Sequence, residues 1–449
     1  MAKFERDLSV GSVPKLLISF ALPLIVSTLI QNLYSAIDLV IVGQFAGTFS
    51  LSGVNNATNI VNLATNCAVG FCAGATVLIG RNLGAGNREE IKKTIGTLIT
   101  FLFIVAVVFT AVVQFFMDGI FAIINTPAEA LPEAKNYLRI SAGGFVFIFG
   151  YNIFSAVFRG MGDSRHPFIF IVIASVTNIV LDLVAVAWLH MGAAGAAAAT
   201  IASQALSVVL CIVYLKRSDF LFDFKLKSFR IYSDTLKNLL KVSIPTTIQN
   251  IITTLSFTVI LFVANQLGVM GSAASAIGGR ITSFAILPVI SLGNAITAMC
   301  AQNFGAGKSD RAVRTMWVGL GMGLAINIVL FSAVQLFSAQ LSSIFTSDQE
   351  LIASSVMYLR TFCFDYLAVA VFNAFINFAL GTGKTLFPSM VSLCSSVLIR
   401  VPASYFFAIT LDWGLYGLGL AAPIASAVST LVMIGYFVSG YWKKQVAVK

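Results

Sequence analysis

The chain alternates long apolar segments with short polar connections along its whole length. The apolar segments lie near 15–43, 53–80, 94–117, 135–158, 167–189, 193–215, 239–267, 274–302, 312–337, 354–380, 387–410 and 415–441. Each is close to or above the roughly 20 residues that an α-helix needs to cross a bilayer. The pattern predicts an all-α polytopic membrane protein with 12 transmembrane helices.

Short motifs recur in the same order in the two halves of the chain. The pairs are Asn82–Gly86 with Asn303–Gly307, Tyr137–Arg139 with Tyr358–Arg360, Gly160–Gly162 with Gly381–Gly383, and Pro23 with Pro245. An offset of six helices keeps the same membrane orientation, so the halves are parallel repeats about an axis along the membrane normal. We therefore predict an N-terminal lobe over 1–215, a cytoplasmic linker over 216–237 and a C-terminal lobe over 238–449.

The basic residues predict how the helices are oriented. Most of the 28 Lys and Arg residues lie in the even-numbered connections and the two tails. Because positively charged loops stay in the cytoplasm, both termini are expected there. The first apolar run is too long for the hydrophobic region of a cleavable signal peptide, so it is expected to remain as the first transmembrane helix.

Composition excludes several classes of function. Hydrophobic residues make up 58% of the chain and charged residues 10%, whereas soluble domains carry about 25% charged residues. The net charge of +10 follows from the loops, so we expect no nucleic-acid partner. The glycine-rich loops lack the spacing of a nucleotide-binding loop and are expected to be tight cytoplasmic turns that end a helix. With two histidines and six cysteines inside apolar segments, we expect no enzyme activity, no cofactor and no structural metal.

Three carboxylates fall inside predicted transmembrane helices, namely Asp38, Asp182 and Asp365. Burying a charge at the membrane centre is costly and usually has a function. Asp38 and Asp182 lie at matching depth in the N-terminal lobe, and Asn178 shares a helix face with Asp182. Two carboxylates with amide oxygens favour Na⁺ or one shared proton. The alternative is that these side chains only hydrogen-bond between helices.

The C-terminal lobe differs in its polar residues. Asp365 and Arg400 lie at similar depth, so they form either a structural salt bridge or a substrate site. Further polar positions predicted to line a substrate cavity are Gln31, Asn32, Asn59, Asn62, Gln249, Asn250 and Arg280. Pro23 removes a backbone hydrogen bond and is expected to kink the first helix, either as a hinge or as a static bend.

Several of these segments resemble the multidrug and toxic compound extrusion (MATE) family of the MOP superfamily. They are Pro23, Gln31–Asp38, Leu83–Gly86, Phe304–Gly307, Arg159–Asp163 and Thr177–Asp182. The resemblance implies two six-helix lobes around a V-shaped central cavity in the bacterial inner (plasma) membrane. It also implies a cation or proton site at Asp38, Asn152, Asn178, Asp182 and Thr200.

The resemblance implies coupled export. Members of the family expel organic cations and other amphipathic compounds in exchange for H⁺ or Na⁺, and we expect a monomer whose partners are such compounds and membrane lipids. The alternative is a flippase for lipid-linked or polysaccharide precursors on the same scaffold. A flippase commonly lines its cavity with several cationic side chains, and here only Arg400 and Arg280 qualify, so the exporter is favoured.

Overall fold

A computed structural model describes residues 5–446, and the regular structure within that range is entirely helical. The α-helices are α1 (Val13–Phe45), α2 (Gly47–Gly84), α3 (Arg88–Ile123), α4 (Leu131–Gly143), α5 (Phe145–Gly160), α6 (Arg165–Asp182), α7 (Gly192–Arg217), α8 (Ser233–Gln266), α9 (Gly268–Gly305), α10 (Ser309–Ser343), α11 (Gln349–Phe362), α12 (Phe364–Gly381), α13 (Leu386–Cys394), α14 (Val401–Tyr405), α15 (Gly414–Val438) and α16 (Tyr441–Val446). A 3₁₀ turn at Leu226–Ser228 interrupts the central connection.

The number of membrane spans confirms the hydropathy pattern. Eleven helical segments in the described range are long and apolar enough to cross a membrane, and the count reaches 12 when α4 and α5 form one bent span. These two helices meet at 50°, a break that the apolar run near 135–158 did not predict. Gly144 lies at the break, where an added Cβ would come within 2.3 Å of the Ile201 side chain on α7. The glycine therefore allows α7 to approach closely.

The repeated glycine-rich loops end α2 and α9 in the same way. Gly86 and Gly307 adopt φ values of +73° and +72°, in the left-handed region that glycine tolerates best. After the first turn, the Asn87 side chain accepts a hydrogen bond from Glu90 N at 3.2 Å and caps α3. Both loops are tight turns between helices, as the sequence predicted.

π-helical turns follow α6 and flank α14. They cover Leu183–Trp188, Ser395–Arg400 and Phe406–Thr410. The first begins directly after Asp182 and the second ends at Arg400. Each π turn widens the helix and rotates the side chains around it, and such turns are frequent at functional sites. Asp182 and Arg400, two of the charged positions singled out in the sequence, therefore lie at the edge of an irregular turn.

The chain divides into two compact units that exchange half-helices. The first unit contains residues 5–7 and Val26–Thr247, and the second contains Leu8–Ile25 and residues 248–446. The sequence-based boundaries assigned all of 1–215 to one lobe and everything from 238 to the other. The observed units differ from these boundaries at α1 and α8. The beginning of α1, up to Ile25, belongs to the second unit, and the beginning of α8, up to Thr247, belongs to the first.

In the first unit, the beginning of α8 packs directly on α2. Ser243 Oγ donates to Phe71 O at 3.1 Å, and Thr246 Oγ1 donates to Gly70 O at 3.2 Å. A Cβ added at Gly70 would lie 2.5 Å from Thr247 Cα, and one at Gly74 would lie 2.1 Å from Ser243 Oγ. Small residues four positions apart on both helices thus bring the two backbones together, as in other membrane helix pairs.

In the second unit, the segment Leu8–Ile25 is tied to the ends of α9 and α10. Leu8 N donates to Gln302 Oε1 at 2.9 Å, and Lys308 Nζ donates to Ser9 O at 3.0 Å. Leu17 and Phe20 are buried in the same apolar core as Ile296 and Met316. The beginning of α1 is therefore an integral part of the second unit.

The contact between α2 and α8 predicts that Gly70→Ala destabilises the protein. The new methyl group would overlap with backbone of α8, and overpacking of this kind costs about 1–3 kcal/mol. Thermal unfolding in detergent measures the effect. Gly119→Ala is the matched control, because nothing lies within 4 Å of a Cβ there and alanine is the better helix former. Equal unfolding temperatures for the two variants would contradict the predicted contact.

Candidate functional site

Asp38 and Asp182 form the centre of the candidate site. Asp38 lies in the part of α1 that belongs to the first unit, and Asp182 is the last residue of α6. Their side chains are 8% and 0% exposed. The two carboxyl groups are close enough for a side-chain hydrogen bond. The sequence-based expectation that both residues meet in one lobe is therefore met by the geometry.

Three of the four carboxyl oxygens of the pair have no hydrogen-bond donor among residues 5–446. Asp38 Oδ1 and both oxygens of Asp182 receive no hydrogen bond from a donor in the described residues. Two carboxylates held together without donors repel each other when both are ionised, and burial increases that repulsion. A proton shared between the two groups, or a cation bound to both, would relieve this repulsion.

Asn178 and Thr200 supply further oxygen atoms. Asn178 is 1% exposed, and its Nδ2 lies 3.5 Å from Thr200 Oγ1 on α7. This long contact directs the amide nitrogen toward Thr200, while Asn178 Oδ1 has no donor in the described part of the chain. Carboxylate, amide and hydroxyl oxygens are the ligands that hard cations prefer.

The Asn152 amide forms a hydrogen bond within its own helix. Its Nδ2 donates to Ile148 O at 2.8 Å, one turn earlier in α5. This bond ties the amide to its own helix. The structure therefore brings Asn178 and Thr200 together and places Asp38 beside Asp182, while the recorded contact of Asn152 is local.

The sequence analysis missed three side chains near the carboxyl pair. Tyr34 and Tyr137 lie within electrostatic range of Asp38 and Asp182. The Gln204 side chain lies within hydrogen-bond reach of the Tyr34 hydroxyl. Tyr34 precedes Asp38 by four residues and Gln204 follows Thr200 by four, so helical spacing was the signal that could have found them. Both give the site additional polar groups.

The predicted cavity residues of the first unit are accessible. Asn32, Asn59 and Asn62 are exposed and Gln31 is half-buried. Asn32 Nδ2 donates to Thr28 O at 2.8 Å, which satisfies part of its hydrogen-bonding capacity within α1. These polar side chains lie on transmembrane helices, where exposure to lipid alone would be unfavourable.

The second unit contains the remaining predicted residues. Gln249 and Asn250 on α8 are half-buried, and Arg280 on α9 is exposed. Asp365 lies in the first turn of α12 and is 3% exposed. Of the two alternatives for Asp365 and Arg400, the direct salt bridge is not formed, because no ion pair within 4.0 Å joins them in the described residues. Arg400 instead lies over the ring of Phe257, with 5.2 Å between guanidinium carbon and ring centre.

No group of three or more His, Cys, Asp or Glu residues suited to metal binding occurs in residues 5–446. A cation at Asp38 and Asp182 would therefore depend on two carboxylates together with the neutral oxygens of Asn178 and Thr200.

Comparisons with known proteins agree with this architecture. A family model described as MatE matches residues 23–184 and 245–406, once in each half. The probable multidrug resistance protein YoeA of Bacillus subtilis is 28% identical, over 95% of this chain and 94% of YoeA. The probable multidrug resistance protein NorM of Thermotoga maritima is 28% identical, over 98% and 96% of the two chains.

A solved structure has the same fold. It is the outward-facing conformation of a multidrug resistance MATE family transporter of the MOP superfamily, and it superimposes with a TM-score of 0.92. The match covers 98% of this chain and 99% of that chain at 22% identity. The helical fold expected from the sequence is thereby confirmed.

The missing donors predict that Asp182→Asn stabilises the ion-free protein. The amide removes one negative charge and provides a donor for Asp38 Oδ1, which is worth about 1 kcal/mol or more for a buried acceptor. Thermal unfolding at pH 8 in choline buffer should show a higher midpoint than wild type. Asp219→Asn, which changes an exposed aspartate of the central connection, serves as the charge-matched control. A lower midpoint for Asp182→Asn would contradict the repulsion.

Proposed function

The chain belongs to the MatE family of multi-pass membrane transporters, and from this premise we propose that it exports amphipathic compounds in exchange for H⁺ or Na⁺. The observation that carries the proposal is the carboxyl pair Asp38 and Asp182. Their adjacent, donor-free oxygens in a buried site favour uptake of positive charge. The names of the similar proteins from Bacillus subtilis and Thermotoga maritima support drugs or other xenobiotics as cargo.

Binding of an ion at Asp38 and Asp182 changes the net charge that is buried in the first unit. When it is empty, two buried carboxylates oppose each other; when it is occupied, a proton or cation cancels part of the charge. A ligand shifts a conformational equilibrium only through its different affinities for the two states. Occupancy at Asp38 and Asp182 therefore supplies the free-energy difference that exchange with a substrate requires.

The α1 helix offers a route from this site to a change of conformation. It contains Pro23 and Asp38, and the boundary between the two units falls between Ile25 and Val26. Because proline lacks the N–H group of a regular helix, the preceding turn is weakened. We place a hinge of alternating access at Pro23, with Asp38 on the side of the first unit.

We propose a membrane orientation from the positions of the basic residues. Lys and Arg residues are concentrated in the even-numbered connections and the tails, which places both termini in the cytoplasm by the positive-inside rule. With that orientation, the transporter lies in the plasma membrane and an inward gradient of H⁺ or Na⁺ drives export. The functional unit is a monomer, since each unit contains its own polar residues.

The proposal predicts that Asp38→Asn abolishes coupled export. The purified protein would be reconstituted into liposomes that contain ethidium. Either a pH gradient or a Na⁺ gradient would then be imposed across the liposome membrane. The initial efflux rate of the variant should fall by at least about tenfold, because the remaining carboxylate no longer experiences a second buried charge. The gradient that drives wild-type efflux identifies the coupling ion.

Asp118→Asn is the matched control for this measurement. Asp118 is exposed on α3 and pairs with Lys135, and surface ion pairs contribute little to stability. Its efflux should equal that of wild type. Full gradient-driven efflux by Asp38→Asn would refute the coupling role. Transport of a fluorescent lipid-linked precursor without ethidium efflux would favour the flippase instead.

A further inference from the structure

The central connection, residues 218–232, is folded against the side of α3. Tyr232 N donates to Thr97 Oγ1 at 3.2 Å. A Cβ added at Gly96 would lie 2.4 Å from Ser228 O, so the backbone of the connection is in direct contact with the helix. The side chains of this segment are therefore held at a defined position along α3.

The contact with α3 lies close to the edge of the hydrocarbon layer. This helix is long and apolar enough to cross a membrane, and no charged residue occurs between Lys93 and Asp118. At 1.5 Å per residue the uncharged run is about 36 Å long, close to the roughly 30 Å of a hydrocarbon core. Gly96 and Thr97 are within about 6 Å of Lys93 along the helix axis. The connection therefore lies where lipid headgroups meet acyl chains.

The 3₁₀ turn of the connection presents an apolar side chain between two cations. Leu226 is 91% exposed, and Lys225 and Lys227 are exposed on either side of it. Contact of a whole leucine side chain with water is unfavourable. At the membrane interface the leucine can enter the acyl region while the lysines extend their charges to the headgroups. The turn has the chemistry of a segment that lies in the membrane surface.

The cations of the connection outnumber its available carboxylates. Asp223 Oδ1 accepts hydrogen bonds from Lys225 N at 3.2 Å and from Ser228 Oγ, and Oδ2 lies 3.6 Å from Lys225 Nζ. This acid is thus used within the turn. Lys227 and Arg230 are exposed and have no carboxylate within 4.0 Å in the described part of the chain. Both charges are available to an external anion.

A second cation lies near Arg230 on the same aromatic ring. The guanidinium carbon of Arg230 and Lys93 Nζ are each 5.9 Å from the ring centre of Tyr232. Lys93 is paired with Glu90 at 2.9 Å, so Arg230 is the group of this pair that lacks a counterion. A phosphate beside Tyr232 would form a charge-assisted contact with Arg230 and be attracted by Lys93.

We propose that Leu226, Lys227 and Arg230 bind an anionic phospholipid of the adjacent leaflet. The lipid phosphate contacts the two cations, and its acyl chains pack against the leucine. A phospholipid fits better than a soluble anion, because the exposed leucine and the depth of the contact on α3 both require an apolar partner. This inference goes beyond the proposed export function, and neither ion coupling nor membrane orientation enters it.

Two lipids with the same acyl chains test the proposal. Native mass spectrometry of the delipidated full-length protein would measure its affinity for dioleoylphosphatidylglycerol, which is anionic, and for dioleoylphosphatidylcholine, which is zwitterionic. Wild type should prefer the anionic lipid. Each basic side chain near an anionic lipid contributes about fivefold in affinity. Lys227→Gln/Arg230→Gln should therefore lower the affinity for the anionic lipid at least about tenfold and leave the affinity for the zwitterionic lipid unchanged.

Three further variants separate the contributions. Lys227→Arg/Arg230→Lys keeps both charges and should retain the wild-type preference. Arg314→Gln/Lys384→Gln removes two exposed cations of the second unit and is the control with matched net charge, so its preference should also equal that of wild type. Leu226→Ser should weaken binding of both lipids, because the apolar contact is common to them.

Thermal unfolding without added lipid shows whether each variant is folded. If the double variant does not fold, Lys227→Gln alone should lose about fivefold in affinity for the anionic lipid. An unchanged affinity in a folded variant would overturn the inference. Equal losses in the two neutralised double variants would assign the preference to overall charge and would also overturn it. Displacement of the anionic lipid by millimolar inorganic phosphate would identify a soluble-anion site instead of a lipid site.

Discussion

The repulsion between Asp38 and Asp182 is the constraint on which the first unit depends. Three oxygens of the pair receive no hydrogen bond from any described residue, and Asp182 is entirely buried. In such surroundings the electrostatic energy changes steeply with each positive charge that arrives or leaves. Tight helix packing is what allows this arrangement to persist, because the surrounding core resists the separation that would relieve it.

The two units share a backbone plan but differ in their polar chemistry. Both contain the glycine turn after their second long helix and a π turn near the corresponding position of a later span. The first unit concentrates negative charge, whereas the second holds Asp365 and Arg400 apart. The duplicated architecture thus combines a common backbone plan with a different set of charged side chains in each unit.

Much of the fold could be predicted from sequence because hydropathy and glycine turns are local signals. The apolar segments predicted the spans, and the repeated glycine motifs predicted the turns at Gly86 and Gly307. The position of Asp38 and Asp182 along their predicted helices was enough to pair them. The break at Gly144 was hidden inside a continuous apolar run, since its cause is the approach of Ile201 from another helix. The relation of Asp365 to Arg400 depended on a π turn that rotates the arginine toward Phe257, and depth alone carries no such rotational information.

The beginning of α1 packs in the second unit and the beginning of α8 packs in the first. This arrangement limits the order in which the protein can fold during synthesis. The α2 surface around Gly70 and Gly74 stays uncovered until Ser243 and Thr247 have been made, so the first unit is still incomplete when α7 leaves the ribosome. The segment Leu8–Ile25 has the opposite history, because it must wait for α9 and α10. A gene divided in the central connection would encode two polypeptides that each lack a segment of their own unit. Such halves would become native only by trading those segments after insertion.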